Sequence, residues 1–559
     1  KFSIIVLIFV LIEQIQSSDL FSNPIAISRI VKEEKLFFQS LYDISQDNPI
    51  YFNLLNKYLN KNTLESLIGT QSQEKNEDEA YGIEGLVANP LHVFSLFYRI
   101  LILLPIISKE LNEIKKEPGI PQETKDFLDS PQIKDISQDD LVGVTFALIR
   151  IQQAYELDPY DMAMGRLGTR QTNARLSAEE LYEIVKILYY GSDRTYYSSG
   201  IEYALAITWL EGVIRLSFED DLQDVFIEEI KTLLLEIQDE HDKHFQEPWT
   251  GQSLLQYPNE EFFVQRFNGN RDMTSKEMRK LEKETVNKFS NQRSPWGRDF
   301  FSICRGEEQK WAKRASSSSS DQRCYVKHFS NPFLLLQPAK IEILNENPTL
   351  VQIHDVVPFS WIDKIKELSI NKIVRAQVAA DEGNKKSYDR TQSNAWLQNS
   401  EYPNLPKISK YFEKVTHLSI SKLFNDGSMV ESETYQIGVY SPGGVYLPHM
   451  DTFNTDNELV NYENEFIGNR IATLMLYLSN VDGGGTAFTE LGKVAYPKMG
   501  SSVFWFNLFS DGEIDTHLTH GACPTMYGIK WVSNKWIRSY GQIFDRPCDL
   551  QKSQRMKLF

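Results

Sequence analysis

The sequence predicts a multidomain chain, α-helical in its first half and built of short β-strands in its last third. Three observations predict it. The length is 559 residues, which at about 150 residues per domain gives three or four domains. Apolar residues recur at helical spacing from residue 19 to about 245. From about residue 340, short alternating segments separated by glycine-rich turns take over. Apolar residues make up 41% and charged residues 24%, which excludes a mostly disordered chain and a multi-span membrane protein. The formal charge of −17 argues against a nucleic-acid partner, which would call for a basic face.

The chain opens on Lys1, an apolar run from Phe2 to Ile12 and small polar residues from Gln14 to Ser18. That pattern describes a secretory signal peptide over residues 1–18, and the apolar run is too short to span a bilayer comfortably. Residues 19–125 read as a helical region. Phe37, Phe38, Leu41 and Tyr42 form one apolar stripe, and Leu54, Leu55, Tyr58 and Leu59 repeat its spacing. Such stripes point to helix–helix packing, including between subunits. The polar segment Gln71 to Glu79 reads as a loop. A second apolar run, Leu91 to Ile107, contains His92, Arg99 and Pro105. An arginine near the middle of a span costs about 2.5–3.5 kcal/mol, so a buried helix is expected and no membrane span in the mature chain.

A second helical block covers residues 138–245. Ser177–Tyr190 and Tyr197–Leu216 read as two helices joined by the turn Gly191–Arg194, and Ser177 with Glu180 has capping-box spacing. The pair resembles one tetratricopeptide-type unit, which needs neighbours to cover its apolar face. Aromatic residues are dense here, and Tyr190, Tyr196, Tyr197 and Trp209 are candidates for docking an extended proline-rich peptide. The competing reading is ordinary core aromatics. Residues 246–339 are linker-like, with Ser316–Ser320 as a flexible loop. Cys304, Cys324, Cys523 and Cys548 form an even set in a secretory context, hence two disulfides with three possible connectivities. No pair has the CxxC spacing of a zinc site.

Residues 340–550 carry strand-like segments at Ser432–Tyr440, Ile471–Leu478 and Ser502–Phe506, with helices near Trp361–Ser369 and Leu405–Leu418. Many short strands with glycine turns mean a sandwich or barrel. The triple glycine Gly483–Gly485 reads as a hairpin turn, because no Lys-Ser/Thr follows it as a phosphate loop requires.

His449-Met450-Asp451 carries the chemistry. On an extended segment, residues two apart share a face, so His449 and Asp451 can address one ion. A third ligand lies downstream, at His520 or at the nearby His517. Two histidines and a carboxylate form the facial triad of non-heme Fe(II) oxygenases, leaving room for a bidentate co-substrate and O2. Lys530 lies on the strand-like run Ile529–Tyr540. Inside a barrel it needs an anionic partner, and the distal carboxylate of 2-oxoglutarate fits.

These residues resemble the collagen prolyl 4-hydroxylase alpha-subunit family. The strings are Tyr440-Ser-Pro-Gly-Gly-Val-Tyr-Leu-Pro-His449-Met-Asp451, Gly468-Asn-Arg-Ile-Ala-Thr473, Val503-Phe-Trp-Phe-Asn-Leu-Phe509, His520-Gly-Ala-Cys-Pro524 and Lys530-Trp-Val-Ser-Asn-Lys-Trp536. Weaker likeness runs upstream through Cys304-Arg-Gly-Glu307, Asp140–Asp158 and Asn89–Phe94. The resemblance implies a procollagen-proline 4-dioxygenase with a double-stranded β-helix (jelly-roll) catalytic domain. It implies His449, Asp451 and His520 as iron ligands and Lys530 as the anchor of 2-oxoglutarate. Tyr440 and Thr473 would support the same carboxylate, with Trp536 in the pocket. It further implies disulfides Cys304–Cys324 and Cys523–Cys548, L-ascorbate as reductant, pairing of alpha subunits through the N-terminal region, and peptide binding by the middle helices. Protein disulfide isomerase would be the beta subunit and hold the complex in the endoplasmic reticulum lumen.

Two departures stand out. Arg538 occupies a position where the family has a histidine beside the co-substrate, and arginine cannot act as a neutral imidazole. The segment Phe218–His241 offers fewer helices than the family pattern. They leave two other readings in view: a catalytically weak peptide-binding or assembly subunit, and a related hydroxylase acting on a non-collagen secreted peptide.

Overall fold

The computed structural model describes residues 20–46, 48–58, 82–113, 122–190, 201–220, 224–246, 295–307, 323–329, 331–376, 390–421, 431–453, 468–551 and 553–558. The expected signal peptide, the loops at Gln71–Glu79 and Ser316–Ser320, the turn Gly191–Arg194, and Tyr196 and Tyr197 lie outside these residues.

Helix α1 (Pro24–Ser45) starts where Asn23 Oδ1 accepts the backbone N–H groups of Ile25 and Ala26, at 3.1 and 3.2 Å, with Pro24 at the first helical position. Its stripe of Ile27, Ile30, Phe37, Phe38 and Leu41 is buried, as are Leu54 and Leu55 of α2 (Pro49–Tyr58). Helix α3 (Pro90–Tyr98) runs through a π-helical turn, Arg99–Leu103, into α4 (Leu104–Glu113). This rod is long and apolar enough to cross a membrane by length and composition, yet 61% of its apolar window is buried within the protein. Arg99 gives Nε and a terminal nitrogen to the two carboxylate oxygens of Glu34 on α1, at 2.9 and 2.8 Å, and both side chains are buried. A bidentate pair of this kind satisfies a charge that lipid would leave exposed.

Helices α5 (Gln138–Tyr155), α6 (Ala178–Tyr190), α7 (Ile201–Glu219) and α8 (Asp224–Gln246) follow. The capping box forms: Glu180 N–H donates to Ser177 Oγ at 3.2 Å and Ser177 N–H to Glu180 Oε2 at 2.8 Å. Phe218–His241 holds much of the single long helix α8. One hydrophobic core runs from Phe21 to Ile237, so the two helical blocks share an interior.

Beyond α9 (Pro295–Cys304) come strands β1 (Arg323–Lys327), β2 (Ala339–Asn345), β3 (Leu350–His354), β4 (Val374–Arg375), β5 (Ser393–Leu397), β6 (Tyr435–Tyr440), β7 (Tyr446–His449), β8 (Arg470–Tyr477), β9 (Asp482–Gly483), β10 (Thr486–Phe488), β11 (Lys493–Ala495), β12 (Ser502–Phe506), β13 (His520–Ala522), β14 (Thr525–Tyr527) and β15 (Lys530–Arg538). A nine-stranded sheet has the order β1-β2-β3-β12-β8-β15-β6-β5-β4, and a four-stranded sheet the order β11-β10-β13-β7. The large sheet therefore begins upstream of residue 340, at Arg323. Helices α10 (Phe359–Ile370) and α11 (Leu405–Thr416) cover one face of it through Ile362, Ile365, Ile408 and Phe412. The small sheet packs on the other, where Tyr440, Met475, Val503 and Trp505 meet Phe488, Ala495 and Ala522.

Two expectations are corrected here. The triple glycine is not a hairpin turn. It carries the chain from β8 in the large sheet to β10 in the small one, and β9 pairs with the distant β14. Gly483 and Gly484 have φ of 70° and 64°, a region open to glycine. The disulfide is Cys304–Cys523, spanning 219 residues, while Cys324 and Cys548 are free and exposed. The reason is packing. Helix α9 lies directly on β13, with the Phe300 ring 2.7 Å from where a Cβ on Gly521 would stand. Cys324 instead sits on β1, the edge of the large sheet.

Candidate metal centre and co-substrate pocket

The small sheet supplies the donors. His449 ends β7, His520 opens β13, and the two strands pair with these residues opposite each other. Asp451 lies just past β7. His449 Nε2 is 3.7 Å from Asp451 Oδ1, and His520 Nε2 is 3.6 Å from Oδ2. One donor atom from each residue lies within 4.8 Å of the others. Each imidazole places Nδ1 against the carbonyl two residues back: His449 on Leu447 at 2.8 Å, His520 on Leu518 at 2.9 Å. Those carbonyls accept the Nδ1 proton, so both Nε2 lone pairs face Asp451, as metal ligation requires. Burial, reinforced by His520, lowers the His449 pKa to about 3, keeping it neutral. Burial raises the Asp451 pKa, but His520, His449 and Arg470 outweigh it and the net shift is downward.

His517 is directed elsewhere. Its Nδ1 meets Asp515 at 2.8 Å, and Asp515 also accepts from Arg555 at 2.9 Å. Thr473, expected at the co-substrate carboxylate, donates instead to Asp451 Oδ2 at 2.8 Å and accepts from Asn507 Nδ2 at 2.9 Å. The pleat explains this, since Thr473 on β8 lies opposite Trp505 and Trp536 on its two neighbours. Trp505 and Phe488 wall His520, and Tyr446 stacks on His449 at 3.6 Å.

The large sheet supplies the cation. Lys530 opens β15 opposite Tyr440 and is 1% exposed. Its Nζ lies 5.1 Å from the Tyr440 ring centroid and 5.9 Å from that of Tyr477. Among the described residues it has no acidic partner, and burial alone lowers its pKa to about 7. Tyr440 feels Asp451 electrostatically as well, so the tyrosine links the cation to the metal-donor side. A buried ammonium between ring faces and a separate set of two imidazoles and one carboxylate fit a dianionic keto acid and an iron ion.

The remaining candidates separate. Trp536 is buried, and the Arg470 guanidinium carbon lies 3.7 Å from its ring centroid. Arg538, expected at the co-substrate, is 1% exposed and turned to Glu433 Oε1 at 3.2 Å. Glu433 also accepts Arg470 Nε at 2.7 Å and its terminal nitrogen at 2.8 Å. Trp209 is fully buried in the helical core and offers no face to a peptide. Tyr190 is 59% exposed beside Tyr189, whose hydroxyl donates to Glu236 at 3.1 Å. Sequence reasoning missed Glu433, Asn507 and the role of Arg470. The Arg470 string was visible, but no local pattern ties it to a glutamate 37 residues earlier.

Residues 435–538 match the 2OG-Fe(II) oxygenase superfamily model, and residues 26–169 match the prolyl 4-hydroxylase alpha-subunit, N-terminal region. Prolyl 4-hydroxylase subunit alpha-2 of Caenorhabditis elegans is 30% identical over 484 residues, covering 85% of this chain and 84% of that protein. The chain belongs to the prolyl 4-hydroxylase alpha-subunit family. Subunit alpha-1 of Rattus norvegicus is 28% identical over 546 residues, 94% of each chain. A solved viral collagen prolyl hydroxylase from Paramecium Bursaria Chlorella virus-1 is 23% identical and covers 34% of this chain and 95% of its own, with a TM-score of 0.26. As a member of this family the chain is a 2-oxoglutarate-dependent dioxygenase, with Fe(II) as its metal and 2-oxoglutarate as its co-substrate.

Proposed function

We propose that this chain hydroxylates peptidyl proline at C4 as the catalytic alpha subunit of a procollagen-proline 4-dioxygenase. One observation carries the reading: the donor trio and Lys530, which has no acidic partner among the described residues, border the same core between the two sheets, His520 through Phe488 and Trp505 and Lys530 through Tyr440 and Tyr477. His449, Asp451 and His520 hold Fe(II). Lys530 pairs with the distal carboxylate of 2-oxoglutarate, with Tyr440 beside it. Iron, with 2-oxoglutarate and O2, supplies the oxidising chemistry. The chain orients what binds: Thr473 and Asn507 fix Asp451, the two carbonyls fix the imidazoles, and the aromatic walls exclude water.

The wider reading follows the family. The two packed sheets form a jelly roll. Helices α6 and α7 act as the tetratricopeptide-like unit that receives a proline-rich peptide, with Tyr190 on its surface. Residues 19–125 pair alpha subunits, protein disulfide isomerase is the beta subunit, and the complex works in the endoplasmic reticulum lumen behind a signal peptide at 1–18. L-ascorbate keeps the iron reduced. The weak-subunit reading rested on Arg538, and that side chain is committed to Glu433.

The test is succinate formed from 2-oxoglutarate in proportion to hydroxyproline in an added proline-rich peptide, using the full chain. His449→Ala is expected to abolish both. Turnover that survives this change overturns the assignment.

A further inference from the structure

Helix α5 belongs to the region upstream of the sheets, yet its end is seated on the catalytic fold. Ala147 leaves no room at Gly443, where a Cβ would stand 2.5 Å from the alanine Cβ and carbonyl oxygen. Arg150 Nε donates to Gly443 O at 2.9 Å. The Ala154 carbonyl accepts from Arg305, the residue after the disulfide-bonded Cys304, at 3.0 Å. The last residue of the helix, Tyr155, reaches furthest. Its hydroxyl donates to the Pro524 carbonyl and accepts the Gly484 N–H at 3.0 Å.

Those two partners belong to the segments that close one end of the site. Pro524 follows Cys523 at the end of the β13 segment that begins with His520, and Gly484 is in the crossover between the sheets. The segments are also tied directly, Gly484 N–H to Pro524 O at 3.0 Å and Cys523 N–H to Gly485 O at 2.8 Å. A Cβ on Gly484 would stand 3.4 Å from Lys530 Cδ and 3.2 Å from Thr525 Oγ1. The Thr525 hydroxyl is buried, with no hydrogen-bond partner among the described residues. The lysine stem therefore lies along the crossover that Tyr155 holds, next to a hydroxyl with unused capacity. Gly483 completes the fit, because a Cβ there would fall 2.3 Å from the Tyr155 oxygen.

We infer that Tyr155 is a positioning residue for the co-substrate: by bridging Gly484 and Pro524 it sets the wall against which Lys530 extends, making α5 part of the 2-oxoglutarate end of the site. The inference rests on Lys530 being the anchor. It acts through main-chain groups and does not touch the reacting atoms. Removing one hydroxyl loosens the crossover and leaves the phenyl ring in place.

The test uses the full chain and Tyr155→Phe. Hydrogen–deuterium exchange over Val481–Thr486, without ligand, is expected to accelerate at least threefold. Titration of the Mn(II)-loaded protein with 2-oxoglutarate should show a Kd raised at least threefold, while the KM for peptide stays within twofold. Gly483→Ala, which places a methyl on the hydroxyl position, should move both readouts the same way. Unchanged exchange and unchanged Kd overturn the inference, and so does exchange that rises evenly across both sheets, since that marks a residue of the fold alone. Lys530→Ala separates the two levels. If it weakens 2-oxoglutarate binding while Tyr155→Phe does not, only the positioning role falls. If it leaves binding intact, the anchor reading falls and the inference with it.

Discussion

Lys530 and Arg538 stand at opposite ends of β15, both cationic and both 1% exposed, in different company. Arg538 meets a carboxylate, Glu433, which also takes two bonds from Arg470. Lys530 meets aromatic faces and no acid among the described residues. A buried cation with a permanent partner is part of the framework. A buried cation without one carries a standing desolvation cost that only an anionic ligand relieves. The same strand thus holds a finished interaction at one end and a binding group at the other.

The sharpest way to break this contrast is Lys530→Met. We expect kcat/KM for 2-oxoglutarate to fall at least a hundredfold, while the ligand-free protein melts at a higher temperature, because a charge confined in apolar surroundings has been removed. A variant that melts lower would show Lys530 already satisfied. Next, Glu433→Ala strips the shared acceptor from the buried Arg538 and the partly buried Arg470. Breaking such a cluster costs about 3–5 kcal/mol, to be read from denaturant unfolding; a loss below about 1 kcal/mol would make the two ends of the strand equivalent.

A third measurement uses pH. Burial lowers the Lys530 pKa to about 7, and the ammonium is the form that binds a carboxylate. The Kd for 2-oxoglutarate should therefore rise as pH climbs through about 7, by at most tenfold per unit. Without ligand the sign is opposite. The unfolded chain holds the lysine proton to about 10.4 and the folded chain releases it earlier, so stability should increase with pH across that window. Lys530→Arg should flatten both profiles. The smallest effect is expected at the other end, where Arg538→His removes one contact and leaves Arg470 on Glu433. Stability should drop by about 1 kcal/mol, and the KM for 2-oxoglutarate should change less than threefold.

The donor set was legible because its pattern is local. His449 and Asp451 share a face of one extended segment, and the uncertainty between His517 and His520 closed once β7 and β13 paired. Lys530 was legible because it follows His520 by ten residues on a strand-like run, where a buried ammonium calls for an anion. Arg538 was misread because its partner lies 105 residues away and only the sheet brings the two together. The cysteine pairing failed likewise: connectivity follows from α9 settling on β13, which no spacing rule contains. Trp209 shows the limit of reading aromatics by density, since it sits wholly in the helical core. The Phe37–Leu41 stripe and the Ser177 cap were read correctly because propensity, period and capping agree there; of the second stripe Leu54 and Leu55 are buried, and Leu59 lies outside the described residues.

The imidazoles of His449 and His520 owe their orientation to the backbone and not to other side chains. Both ring orientations are held by main-chain oxygens, at Leu447 and Leu518. No exchange of one side chain for another deletes a peptide carbonyl. The protonation pattern that prepares the two imidazoles is thus immune to ordinary substitution at the residues that set it, and only an insertion, a deletion or a rerouted backbone can erase it.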